Sequence, residues 1–135
     1  MGEVLRVENR ESSSVKSYRD LKVWQKAMDL LVDVYAITET FPKSEQYGLV
    51  SQIRRASVSI PSNLAEGSSR RSTAEFLRYI NIASGSLAEL ETQLIASQKL
   101  QFITEEHLNP LMVRVDEISR MLQGLYDSLQ KRMNS

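Results

Sequence analysis

Between Leu111 and Leu129 the apolar residues Leu111, Val115, Ile118, Leu122, Leu125 and Leu129 recur at alternating intervals of four and three without a miss. Residues so spaced share one face of an α-helix, and an apolar face of that length has to be buried against something of the same period. The period returns three times upstream. Phe76, Ile80, Ala83, Leu87, Leu90 and Leu94 form one seam, Val50, Ile53, Ser57, Ile60 and Leu64 another, and Leu21, Trp24, Met28, Leu31 and Tyr35 a third. Val23, Leu30, Val34 and Ile37 lie off this last seam, so the first helix carries an apolar arc wider than one stripe and calls for a second burial surface. Ile82, Ile95 and Met121 likewise stand off their own seams. No strand-like alternation competes with the helical period.

Start and stop signals bound the helices near residues 20 to 40, 45 to 66, 73 to 100 and 105 to 131. Asp20 is placed to cap the first, and Phe41-Pro42 ends it, because the residue before proline avoids helical geometry. Ser44 can cap the second helix, which contains Pro61. An interior proline removes a backbone bond and costs about 3 kcal/mol, so a kink or a break is expected around Ser57 to Pro61. Gly67 then reads as a left-handed stop. Ser72 and Glu75 have the spacing of a capping box and open the third helix, where mid-helix Gly85 costs roughly 1 kcal/mol relative to alanine. That cost suggests close approach to the region of Ala56, Ser57 and Ser59. The fourth helix starts either at a Thr104 cap or at Pro110 behind Asn109, and the sequence leaves both open. Short connections between four amphipathic helices predict an all-α, antiparallel up-down-up-down four-helix bundle with a kinked second helix over residues 19–133. Residues 1–18 mix charges with a serine run and read as a flexible tail, and residues 131–135 are expected to fray.

A chain of 135 residues suits one domain. Lys plus Arg and Asp plus Glu both number 17, so attraction for nucleic acid has to be local rather than global. The absence of cysteine excludes disulfides, thiol catalysis and thiolate metal sites, and it fits a cytoplasmic protein. No apolar run approaches the ~18 residues of a membrane span, so no membrane partner is expected. His107, the single histidine, lies beside Glu105 and Glu106 and reads as a surface residue. Ser13 and Lys16 match only the bare spacing of a serine-lysine nucleophile motif, within the tail. No phosphate loop, catalytic set, metal site or cofactor is indicated, and the expected protein is not an enzyme.

The charges are unevenly distributed. Residues 50 to 80 hold Arg54, Arg55, Arg70, Arg71 and Arg78 against Glu66 and Glu75, a net +3, whereas residues 81 to 106 hold Lys99 against Glu89, Glu91, Glu105 and Glu106, a net −3. Arg70 and Arg71 precede the cap of the third helix, where free amides and the helix dipole favour an anion, and Arg55 and Arg78 are placed to assist. In the competing reading Arg71 and Arg78 pair with Glu75 and Arg70 is solvated. Arg54, one residue from the apolar seam, is either exposed or drawn inward to a carboxylate such as Glu66, Glu89 or Glu91. Tyr47, Tyr79 and Tyr126 read as core or interface residues rather than base-stacking platforms.

The segments DLKVWQKA at Asp20 to Ala27, IRRASVSIPSNLAEG at Ile53 to Gly67, EFLRY at Glu75 to Tyr79 and SGSLAELETQL at Ser84 to Leu94 together resemble the four-helix-bundle family related to proteins encoded within intervening sequences of bacterial 23S ribosomal RNA genes. The chain is also similar, more distantly, to accessory variability proteins of diversity-generating retroelements, which are basic pentamers that engage RNA and a reverse transcriptase. The nearer resemblance implies a bundle that assembles as a homopentamer. Two functional readings follow: a nucleic-acid-binding accessory protein, RNA before DNA, whose ring repeats each modest arginine patch, and a helical scaffold for another protein with no nucleic-acid role.

Overall fold

The structure is a computed structural model and describes residues 17–134. Within them lie four long helices: α1 (Lys22–Thr38), α2 (Leu49–Ser68), α3 (Thr73–Lys99) and α4 (Glu105–Met133). Each helix packs on the next, and α1 closes the ring against α4. Short links make neighbours antiparallel, as expected for an up-down-up-down bundle. Of the flexible tail expected at residues 1–18, residues 1–16, and with them the Ser13–Lys16 spacing, lie outside the described residues, whereas Ser17 and Tyr18 form a capped turn whose Tyr18 packs against the core.

All of the apolar seams expected for α2, α3 and α4 face inward, with Ile53, Leu64, Phe76, Leu90, Leu94, Ile118 and Leu129 fully buried. In α1 the two stripes exchange roles. Val23, Ala27, Leu30, Val34 and Thr38 are buried, while Trp24, Met28 and Leu31 are half-buried and Tyr35 is exposed. Both stripes have helical spacing, and periodicity does not rank neighbouring stripes. The smaller residues Ala27 and Thr38 let α1 sit close to the bundle axis, and the bulky rings take the flanks, where Trp24 meets Tyr18 edge-on at 5.3 Å.

Several start and stop signals act otherwise than their spacing suggests. Asp20 does not cap α1; it closes a capping box with Ser17 around the 3-10 turn Tyr18–Asp20, and Leu21 occupies the helix N-cap without a side-chain bond. Ser44 lies in a second 3-10 turn, Lys43–Glu45, and α2 begins after Gly48, with the Glu45 carboxylate accepting from the Leu49 amide at 3.4 Å. The helix is continuous through Pro61, whose ring is buried, so of the kink or break expected there the break does not occur. The caps of α3 and α4 are Ser72 and Thr104, whose hydroxyls accept from the amides of Glu75 and His107 at 3.1 Å and 3.2 Å. Pro110 is therefore inside α4, and that helix extends to Met133.

No glycine among the described residues has a positive φ, so Gly67 is not a left-handed stop. It is a helical residue chosen for space: a Cβ there would lie 2.5 Å from the Cβ of Tyr79. Gly85 is the reverse case, since a Cβ there would meet nothing within 4 Å. The contact with the serine-rich part of α2 is made one residue on, where Ser86 shares a 2.8 Å hydrogen bond with Ser59.

Candidate nucleic-acid interface

The link from α2 to α3 is only four residues long, Ser69 to Ser72, and it forces the last turn of α2 against the first turns of α3. Gly67 provides the room. Tyr79 settles over it with its ring buried and its phenol at the edge of the contact. There the hydroxyl donates to Glu66 Oε2 at 3.0 Å and accepts from Arg70 Nη2 at 2.8 Å. The same Arg70 nitrogen donates to Glu66 Oε2 at 2.8 Å, closing a three-membered polar ring. The Arg70 and Arg78 guanidinium carbons lie 5.2 Å and 4.9 Å from the Tyr79 ring centroid, within reach of the π-face attraction. The hydrogen bond to Glu66, reinforced by Tyr79, pushes the Arg70 pKa above its ordinary value, so the guanidinium stays charged.

Arg71 and Arg78 are exposed, and among the described residues neither forms an ion pair. The pairing with Glu75 that their spacing permits is not made: no ion pair among the described residues involves Glu75. Arg70, the residue which that alternative left solvated, is the one held by a carboxylate. Arg55 is exposed as well but stands apart: eleven residues separate it from Glu66 on one helix, about 16 Å along the axis. The structure thus brings Arg70 and Arg78 together around Tyr79, keeps Arg71 exposed beside Arg70 in the link, and leaves Arg55 outside.

Arg54 is drawn inward, but its partner is none of Glu66, Glu89 and Glu91. Its guanidinium reaches across to α1, donating to Thr38 Oγ1 at 2.9 Å, to the Tyr35 carbonyl at 3.2 Å and to Glu39 at 2.9 Å, over the face of the Tyr35 ring. Those partners cap the C-terminal end of α1, where exposed carbonyls and the helix dipole favour a cation.

Antiparallel order puts the start of α1, the end of α2, the start of α3 and the end of α4 at the same end of the bundle. Arg19 and Lys22 therefore join Arg70, Arg71 and Arg78 there, with Lys131 and Arg132 from the last turn of α4. The sequence predicts fraying from residue 131, but α4 continues through Lys131 and Arg132 to Met133. The opposite end carries Glu39, Glu45, Glu105 and Glu106 against Lys43 and Lys99. Tyr47, 91% exposed, belongs to that acidic end and is remote from the arginines, and Tyr126 is half-buried against the core. His107 is on the surface, as its setting predicts, with Nδ1 3.2 Å from Thr104 Oγ1. Among the described residues no cluster of acidic or histidine side chains is placed to hold a metal ion.

The sequence profile of the 23S rRNA-intervening sequence proteins matches residues 19–124, the four helices short of the last turns of α4. The chain belongs to that family. Among solved structures, the chain is similar to a protein of unknown function from the S23 ribosomal protein family of Bacteroides thetaiotaomicron. The two share 24% sequence identity with a TM-score of 0.72, over 78% of this chain and 95% of the other. At that identity the likeness speaks for the fold. No curated protein matches the chain. Within this family member no helix among the described residues is long and apolar enough to cross a membrane.

Proposed function

We propose that this intervening-sequence family protein is an oligomeric, non-catalytic, cytoplasmic accessory protein that binds RNA by its phosphates at the basic end of the bundle. The observation that carries the reading is the pair of exposed arginines without a carboxylate partner among the described residues, Arg78 over the Tyr79 ring and Arg71 next to Arg70 in the α2–α3 link. A guanidinium presents donors in a planar fork suited to phosphate oxygens, and it does not give up its proton at ordinary pH. Such a site holds an anion but shuttles no proton, which suits binding rather than catalysis. The family description, with its link to ribosomal RNA genes, favours RNA over DNA as the ligand.

A single patch of this size binds weakly, and repetition around a homo-oligomer multiplies it. Support for assembly comes from the outer faces of α1 and α4. Val32 and Val113 are 61% and 68% exposed, and the adjoining Asp33–Arg114 ion pair sets a register that places them at the same level. Ile82 and Ile95 on α3 are more than a third exposed as well. A pentamer is the assembly proposed. The scaffold reading draws on the same apolar positions, and salt separates the two: phosphate contacts weaken steeply as salt rises, whereas apolar contacts do not. Filter retention of labelled RNA across a salt series, with light scattering to give the mass of the binding species, tests the proposal.

A further inference from the structure

The polar ring around Arg70 has a consequence for which phosphates the site accepts. Arg70 is not a free cation: Glu66 Oε2 and the Tyr79 hydroxyl both lie 2.8 Å from its Nη2, and the two hold each other at 3.0 Å. Yet the pair is open to solvent, with 41% of the Arg70 side chain and 53% of the Glu66 side chain exposed. An incoming anion therefore meets two ready guanidiniums, Arg71 and Arg78, and a third already occupied by an internal carboxylate.

We propose that Glu66 acts as a built-in competitor that makes this end of the bundle selective for a phosphate monoester, the 5′-phosphorylated end of an RNA strand, over the phosphodiesters along the chain. The inference rests on the RNA-binding reading above and adds the ligand class. An internal phosphodiester carries one negative charge. In taking Arg70 from Glu66 it exchanges one singly charged partner for another and leaves the Glu66 carboxylate facing it, so it gains nothing there and binds through Arg71 and Arg78 alone. A terminal monoester carries a charge of about −1.5 to −2 at neutral pH and presents three strong acceptor oxygens. It can engage Arg70 together with Arg71 and Arg78 and outcompete a lone carboxylate. The Tyr79 hydroxyl keeps a partner in either state, because it can turn from Glu66 to the phosphate.

The test uses the full chain and one single-stranded RNA oligonucleotide, labelled at its 3′ end and carrying either a 5′-phosphate or a 5′-hydroxyl. Wild type is expected to bind the 5′-phosphate form about threefold more tightly or better, a factor on the scale of one exposed ion pair. The preference should fade as the pH drops below about 6, where the monoester loses its second charge. Glu66→Gln should tighten the 5′-hydroxyl form and so narrow the difference, and Arg70→Gln should remove the preference while the 5′-hydroxyl form still binds. Equal binding of both RNAs by wild type, or a preference that survives in both variants, overturns the role of Glu66 and leaves the phosphate-binding reading standing. Absence of binding to either RNA by wild type and by Glu66→Gln overturns both. Since Glu66 and Arg70 are surface residues, circular dichroism should show each variant folded; should Glu66→Gln fail to fold, Tyr79→Phe, which removes one of the two bonds holding the carboxylate, takes its place with the same expected direction.

Discussion

Gly67 and Tyr79 are in contact through a space that only glycine leaves open: a Cβ on Gly67 would sit 2.5 Å from Tyr79 Cβ, and 3.1 Å from the ring of Phe76. Because Tyr79 carries the hydroxyl that joins Glu66 and Arg70, the close approach of α2 and α3 positions the candidate site as well as the core.

Gly67→Ala should therefore destabilise the protein by about 1–3 kcal/mol, the usual cost of forcing a methyl group into a packed interior. Gly85→Ala should do the opposite, gaining roughly 0.5–1 kcal/mol from helix propensity, since a Cβ there is unobstructed within the chain. Urea midpoints compare the two directly. Destabilisation by Gly85→Ala together with a loss of oligomer mass would show that a second copy covers that face.

Leu122→Ala, in the seam of α4, should cost about 2–5 kcal/mol through lost burial and a residual cavity. Leu30→Ala in α1 should fall in the same range, while Leu31→Ala should cost clearly less, because Leu30 is fully buried and Leu31 only half so. Equal losses at positions 30 and 31 would contradict the orientation of α1.

That comparison marks where the sequence was legible and where it was not. Seams in α2, α3 and α4 are legible directly because each keeps one unbroken helical period, while the apolar residues beside it, such as Val58, Ile82 and Val113, are scattered and form no continuous second stripe. Around α1, apolar residues occupy two adjacent stripes, and the choice between them depends on how close Ala27 and Thr38 bring the helix to its neighbours, a tertiary fact. Gly67 and Gly85 depart from the roles expected of them for the same reason: the local signal of a glycine is identical whether it serves a turn, a close contact or nothing within the chain. At the site, the cluster of Arg70, Arg71 and Arg78 follows from helix spacing and the short link. Which arginine takes the carboxylate does not, since Glu66 and Glu75 both lie within helical reach and the phenol of Tyr79 decides between them.

Arg54→Ala should destabilise the fold by about 1–3 kcal/mol, since it removes three hydrogen bonds that hold the C-terminal end of α1 to α2. Arg54→Lys should recover little of this, because an ammonium cannot reach Thr38, Tyr35 and Glu39 with one planar group while stacking on the Tyr35 ring. Thermal unfolding of the two variants measures the difference.

Val32→Glu combined with Val113→Glu should reduce the oligomer mass seen by light scattering and leave the helical signal intact, because both side chains are largely exposed within one chain. An unchanged mass would move the interface to another face, with Ile82 and Ile95 of α3 next in line.

The salt dependence of RNA binding bears most directly on the central claim. Each phosphate neutralised on a single strand contributes about −0.7 to the slope of log K against log salt concentration. Wild type should retain RNA at low salt with a steep slope, and replacing Arg71 and Arg78 together by Gln should flatten it by about 1.4 per site while circular dichroism and oligomer mass stay unchanged. No retention of RNA by wild type even at low salt, or a double variant that binds with the wild-type slope, would contradict the account.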